Sequence, residues 1–291
     1  MKSLKSRIRN GEAVNGCWLN IGSPVTAEMV GLAGFDWVLI DLEHGNGTEA
    51  DVLHQLQALK STEATAIVRV ESGRGERISR MLDMGAAGVM VPKVNTGAEA
   101  REVIDGIRYP PGGSRGVAKM VRAAGYGKWA TDYISNADDN IVGVLQIETK
   151  YALDNLDEIA AIDGVDVLFI GPSDLSMSLG IFGEFANPIF KDAVKSIVAA
   201  AQKAGKATGI LIFNPDDYRM YHDMGIRFIA CGSDGAFVTE GARITVEKLN
   251  AFRTQLELFL HLLLQIYRSF IKVANNLVDD VELIGHRLLI Q

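Results

Sequence analysis

Short apolar runs recur along the chain, and each is followed by a stretch with helical periodicity. Eight stand out: GCWLN (16–20), FDWVLID (35–41), TAIVRV (65–70), AGVMVP (87–92), IVGVLQIE (141–148), DVLFIG (166–171), TGILIF (208–213) and RFIACG (227–232). They are rich in Val, Ile and Leu and largely continuous rather than alternating, the pattern of parallel strands buried on both faces. Between them lie amphipathic segments such as DVLHQLQALKS, ERISRMLDMGA, AEAREVIDGIR and IFKDAVKSIVAAAQKAG, several of which stop at a glycine (Gly85, Gly205, Gly225). Glycine just past the last turn is a common way to end a helix. Eight strand–helix units predict an α/β chain closed into a (β/α)8 TIM barrel over residues 1–254. An open doubly wound sheet is the competing arrangement. The turn after the first run, GSPVTAE (22–28), lacks the G-x-G-x-x-G spacing such a sheet normally carries there.

Two segments break the repeat. The connection 107–140, IRYPPGGSRGVAKMVRAAGYGKWATDYISNADDN, is long for a compact domain, and it is expected to be functional, as a lid or substrate wall. After GARITVEKLNAFR (241–253), read as the eighth helix, residues 255–291 form a helical C-terminal extension. Its apolar core, LFLHLLLQI (258–266), is far shorter than the roughly 20 residues of a membrane span. It reads either as an amphipathic helix seeking a partner surface, most simply another subunit, or as sequence appended to the natural chain.

Composition narrows the function classes. At 291 residues, 48% hydrophobic and 22% charged, the chain has ample material for a core. Its net charge of −7 argues against a nucleic-acid surface. Cys17 and Cys231, far apart, point to a reducing compartment rather than a disulfide framework. The N-terminus MKSLKSRIRNGEA has no apolar signal region. A cytoplasmic enzyme without membrane partners is the expectation.

Chemistry in a barrel gathers where strands end at the C-terminal face. There the second run ends in Asp41, Glu43 and His44, the third in Arg69, the fifth in Gln146 and Glu148, and the sixth in Gly171-Pro172-Ser173-Asp174. Singly, an Asp or Glu past a strand is more often a helix cap, and an Arg a salt-bridge partner. Their coincidence at one rim is the signal. Glu148 and Asp174, on neighbouring strands, suit a hard divalent cation such as Mg²⁺ or Mn²⁺, with Co²⁺ a further option. Zinc would call for imidazole or thiolate at the proper spacing. Amides around Ser173 offer an anion cradle, Arg69 matches a carboxylate or enolate oxygen, and His44 is a proton carrier near neutral pH. Together these make a place where a 2-oxo acid could lose an α-proton.

At the same residues the sequence resembles a known family. GCWLNIGSPVTAEMVGLAGFDWVLIDLEHG, RVESGRGERISRMLDMGAAGVMVPKVNT, RYPPGGSRGV, LQIETKYALDNLDEIAAIDGVDVLFIGPSDLSMSLG and GILIF, over residues 5–253, are similar to the HpcH/HpaI class II, metal-dependent pyruvate aldolases. The resemblance implies reversible cleavage of a 4-hydroxy-2-oxo acid to pyruvate and an aldehyde. It implies Glu148 and Asp174 as metal ligands, Arg69 on the enolate oxygen, and His44 as base with Asp41 or Asp83 orienting it. It further implies Gln146, Ser173 and Asp174 holding pyruvate and Leu211 walling the methyl side. It carries the expectation of a homohexamer in which the last helix packs on a neighbour, so that site residues come from two chains.

Lys93, in VPKVN, departs from the apolar residue expected there, and RVESGRGER differs from the family's usual loop. A rim lysine raises Schiff-base catalysis, but the surrounding carboxylates would oppose the neutral amine that mechanism needs. Lys93 or Arg122 meeting an anionic aldehyde is the simpler role. His54 and His222 read as surface, Cys231, Trp18 and Trp37 as packing, and Arg115 and Arg122 as lid anchors or solvated charge. Two rival functions stay open: another enolate-forming lyase or decarboxylase, including one acting on acyl-CoA, and a non-catalytic barrel that binds a partner through its tail. The chain's acidity weighs against an acyl-CoA partner.

Overall fold

The computed structural model describes residues 3–288, with side chains described as far as residue 274. Eight parallel strands close in sequence order: β1 (Val14–Leu19), β2 (Trp37–Asp41), β3 (Thr65–Arg69), β4 (Gly88–Val91), β5 (Val142–Ile147), β6 (Val167–Ile170), β7 (Ala207–Ile212) and β8 (Phe228–Ser233). The eight apolar runs are these strands. β1 pairs with both β2 and β8, so no strand edge is left open.

Side chains along each strand alternate between two cores. Outward residues such as Val38, Ile40, Val68 and Leu168 pack beneath the surrounding helices. Inward residues, including Trp18, Trp37, Leu39, Ile67, Met90, Val144, Phe169 and Phe228, fill the barrel. Trp37 stacks on Phe228 with ring centroids 3.9 Å apart, and Phe169 leans on Trp18 at 5.5 Å. Two strand glycines make room for these rings. A Cβ on Gly16 would stand 2.1 Å from the Trp37 indole, and one on Gly209 2.6 Å from the Phe169 ring. The period of two then continues to the strand ends. Asp41 follows Leu39 inward, Arg69 follows Ile67, and Gln146 follows Val144. An aromatic floor thus carries a polar layer.

Connections alternate between the two ends of a barrel: strand-to-helix loops lie at the C-terminal rim and helix-to-strand loops at the opposite end. This corrects the reading of segment 107–140. It follows the helix Gly97–Ile107 and leads into β5, so it belongs to the end away from the rim and is no lid over this chain's own strand ends. It is also partly ordered into short helices at Ala130–Ser135 and Ala137–Asn140. Both loop arginines are anchors there rather than solvated charges. Arg115 is buried and donates to Asp83 Oδ1 at 2.7 Å, and Arg122 donates to the carbonyls of Met84 and Leu56 at 2.7 and 3.0 Å. That geometry takes Arg122 out of any aldehyde contact within its own chain.

The helix that begins at Asp234 does not stop near residue 253, as the repeat predicts, but continues to Leu288. Between Ala242 and Ile284 the sequence holds neither Gly nor Pro to end it. By contacts the chain divides into Met1–Phe237 and Val238–Gln291. The second unit exposes Leu249, Phe252, Leu258, Phe259 and Phe270, among other apolar side chains. Residues 289–291 of the extension lie outside the described residues. No described helix is long and apolar enough to cross a membrane.

Candidate active site

At the end of β3, Arg69 is buried and faces a carboxylate on each side. Its Nε and Nη2 donate to Asp41 Oδ1 and Oδ2 at 2.8 and 2.6 Å, and its Nη1 lies 3.1 Å from Glu43 Oε2. The same Nη1 approaches Gln146 Oε1 at 3.4 Å, and the guanidinium sits over the Trp18 ring at 5.8 Å. Burial works against the charge, yet the bonds from Asp41 and the charges of Glu43 and Glu148 outweigh it and raise the arginine's pKa. Arg69 is a fixed cation.

Gln146 passes the chain of contacts onward. Its Nε2 donates to Glu148 Oε2 at 3.0 Å, while the backbone N–H of Lys93 donates to Glu148 Oε1 at 2.7 Å. Glu148 is 2% exposed. Burial pushes its carboxyl up to about 7. The Lys93 N–H opposes this, the charges of Asp174 and Glu43 add to it, and Arg69 pulls it down. Gly171 makes the space, since a Cβ there would stand 2.3 Å from Glu148 Oε2. Asp174 is exposed and Ser173 half-buried on the helix Pro172–Ser178, which begins directly after β6. Leu211, inward on β7, is half-buried against the barrel core.

Among the described residues no cluster of three or more His, Cys, Asp or Glu gathers as a metal cage. What gathers is a pair of carboxylates, Glu148 and Asp174, one buried and repelled by its neighbour's charge and the other open to solvent. The pair fits a hard divalent cation that takes its remaining ligands from water and substrate, and Glu148 keeps unused lone pairs for it.

The loop after β2 differs in detail from the sequence reading. Asp41 was one of the two acids, with Asp83, expected to orient the His44 ring. Instead both its oxygens bind Arg69, and Oδ1 also accepts the main-chain N–H groups of Glu43 and His44 at 3.0 and 3.3 Å. Asp41 therefore sets the loop backbone, not the imidazole. The exposed His44 ring has Glu43 as its carboxylate neighbour, with Nε2 3.8 Å from Oε1. Asp83 is not brought to the rim of its own chain. It ends the helix Gly75–Asp83 at the opposite end, bound to Arg115.

Glu43 is the residue the sequence reading undervalued. Its side chain meets Arg69, His44 and, at 3.5 Å, Lys93 Nζ. Its place two residues beyond Asp41, on the same inward phase, was the available signal. Lys93 adopts φ +53°, a left-handed conformation that costs a lysine about 1 kcal/mol. That conformation aims its N–H at Glu148 while its side chain runs into solvent. Exposed and beside Glu43, the amine lacks the dry surroundings a Schiff-base lysine needs.

Known proteins resemble this chain in sequence and in fold. The chain is 38% identical over 248 residues to a hydroxypyruvate/pyruvate aldolase of Agrobacterium fabrum, covering 85% of this chain and 92% of that one. It is 42% identical over 223 residues to a 5-keto-4-deoxy-D-glucarate aldolase of Salmonella paratyphi C, covering 76% and 87%. The crystal structure of an HpcH/HpaI aldolase/citrate lyase family protein from Burkholderia cenocepacia superposes with a TM-score of 0.82 at 35% identity, over 86% of this chain and all of that one. Residues 15–240 match the HpcH/HpaI aldolase/citrate lyase family, and the chain belongs to it.

Proposed function

We propose that the protein is a divalent-metal-dependent aldolase that reversibly cleaves a 4-hydroxy-2-oxo acid to pyruvate and an aldehyde. One observation carries the reading: the run of contacts from Asp41 through Arg69 and Gln146 to Glu148 sets a fixed cation beside a buried carboxylate that forms no ion pair among the described residues. The aldolase relatives named above support it.

Glu148 and Asp174 would hold the cation, which when bound supplies Lewis-acid polarisation of the 2-oxo group. Every other task falls to side chains of the chain. Arg69, immobilised by Asp41, presents Nη1 to the oxygen on which enolate charge gathers, and being already oriented it needs no rearrangement as that charge develops. Gln146 and the Ser173–Asp174 amides hold the pyruvate carboxylate, and Leu211 walls the methyl group. His44, beside Glu43, takes the 4-hydroxyl proton in cleavage; the C3–C4 bond breaks, the aldehyde leaves, and C3 is protonated to give pyruvate. Asp83, at the opposite end of its own barrel, would meet a His44 only across a subunit contact, and that contact belongs to the proposed homohexamer. The exposed apolar helix of the second unit is assigned to the same assembly. The cytoplasm is the proposed location.

Exchange of the pyruvate methyl protons for deuterium, followed by NMR with Mn²⁺, Mg²⁺ or EDTA, tests the reading without a choice of aldehyde. Exchange that requires metal and is lost in Glu148→Gln is expected. Exchange surviving EDTA, with borohydride trapping a lysine adduct, would overturn it.

A further inference from the structure

The His44 ring is exposed, and the loop backbone decides where it sits. That loop, Leu42–Gly47, is fixed at one end by Asp41. At the other end it leans on the end of β1. The N–H of Asn46 donates to the carbonyl of Asn20 at 2.9 Å, and Gly47 packs so closely on Gly22 that a Cβ on Gly22 would stand 2.8 Å from the Gly47 Cα. Gly22 has φ +81°, so a side chain is excluded there by conformation as well as by space.

The end of β1 is itself held from the far side of the barrel seam. Asp234, the first residue of the helix after β8, is 3% exposed. Its Oδ1 accepts the N–H groups of Asn20 at 2.9 Å, Ile21 at 3.3 Å and its own neighbour Gly235 at 2.8 Å. Its Oδ2 accepts the Thr26 hydroxyl at 2.8 Å and approaches the Ile21 N–H at 3.4 Å. A buried carboxylate supplied by neutral donors is costly to hold and costlier to strip of its bonds. Here nearly all of those bonds go to the segment 20–26. Both sides of Asn20 are thereby used, its N–H on Asp234 and its carbonyl on Asn46.

We infer that Asp234 is a positioning residue for the proton-transfer loop, acting through Asn20 and Asn46 to set the place of His44. The inference rests on the aldolase reading for its catalytic consequence, but not for its structural content. Glu148 and Asp174 stand just beyond the ends of β5 and β6, away from this seam, so the relay bears on proton transfer and not on metal affinity.

Asp234→Ala separates these effects. By hydrogen-exchange mass spectrometry of the full chain, deuterium uptake should rise together in segments 20–23 and 45–48. A rise confined to 20–23, or none, would overturn the relay. With saturating Mn²⁺, pyruvate methyl exchange should fall about 10- to 100-fold, the scale of an ångström-level misplacement, while Mn²⁺ affinity is unchanged. Asp234→Asn keeps an oxygen for the Oδ1 bonds and should recover most of the rate. Val198→Ala, a truncation in the helix Pro188–Lys203, controls for a loosened fold; at a matched melting temperature it should keep the rate. A wild-type rate in Asp234→Ala, or an equal loss in Val198→Ala, would also count against the inference. No exchange in the wild-type chain would instead remove the aldolase reading, and the uptake measurement would still decide the relay.

Discussion

Arg69 and Asp41 meet in a two-point contact, Nε to Oδ1 at 2.8 Å and Nη2 to Oδ2 at 2.6 Å, at the paired ends of adjacent strands. Strand pairing places these residues side by side, and the planar fork matches the carboxylate. The result is a cation whose third nitrogen, Nη1, is turned toward Gln146, which in turn donates to Glu148.

Replacing Arg69 by lysine keeps the charge but not the fork. The rate of metal-dependent pyruvate methyl exchange should fall about 100- to 1,000-fold, as for removal of one oriented donor to a developing oxyanion. An unchanged rate would mean that charge alone suffices.

Glu148→Gln should stabilise the metal-free protein at pH 8. The folded chain retains a carboxyl proton between the ordinary value of 4.5 and about 7 that the unfolded chain has lost. The charge therefore costs stability as pH rises through that window, fully above about pH 7 and not at all below about 4.5. The shift corresponds to roughly 3 kcal/mol. The new amide would face the Gln146 amide and lose about 1 kcal/mol of hydrogen bonding, for a net gain of about 1–2 kcal/mol. Urea unfolding at pH 8 and pH 4 checks the sign, and added Mn²⁺ should raise the stability of wild type alone.

Gly171→Ala puts a methyl group where Glu148 Oε2 now lies. The carboxylate must move, so Mn²⁺ affinity should drop by about tenfold or more, as when a ligand's support is removed. A stability loss of about 1–3 kcal/mol should accompany it. Titration calorimetry and thermal melts report the two separately.

Cys17 should resist alkylation in the folded chain at pH 8. Burial, then the charges of Asp234 and Cys231, push its thiol up to about 12, and the thiolate is the reactive form. The same shift makes this thiol's contribution to stability decline between pH 9 and 12, where the unfolded chain gives up the proton first. Iodoacetamide labelling followed by mass spectrometry should find Cys17 unmodified until denaturant is added.

Much of the site was legible in the order of residue types. The strand runs ending in Asp41, Arg69, Gln146 and Glu148 could be read because period-two alternation and the barrel's polarity fix which end and which face they occupy. Segment 107–140 was misplaced because sequence order gives the number of a loop but not, without the alternation of ends, the face it serves. Glu43 was undervalued because its worth lies in three neighbours from different segments. Asp234 was invisible: an Asp at a helix start reads as a cap, and nothing local says that its bonds reach back to β1.

The sequence by itself determined the eight-unit barrel and the polar residues at its rim, because burial on two faces and the strand period are local properties of composition and spacing. Only the tertiary structure decided which carboxylate holds Arg69, why Glu148 sits in a space that Gly171 leaves, and how Asp234 props the loop of His44. Those relations join residues far apart in the chain, and their energies depend on burial and on distances of a few ångströms that no spacing in the sequence encodes.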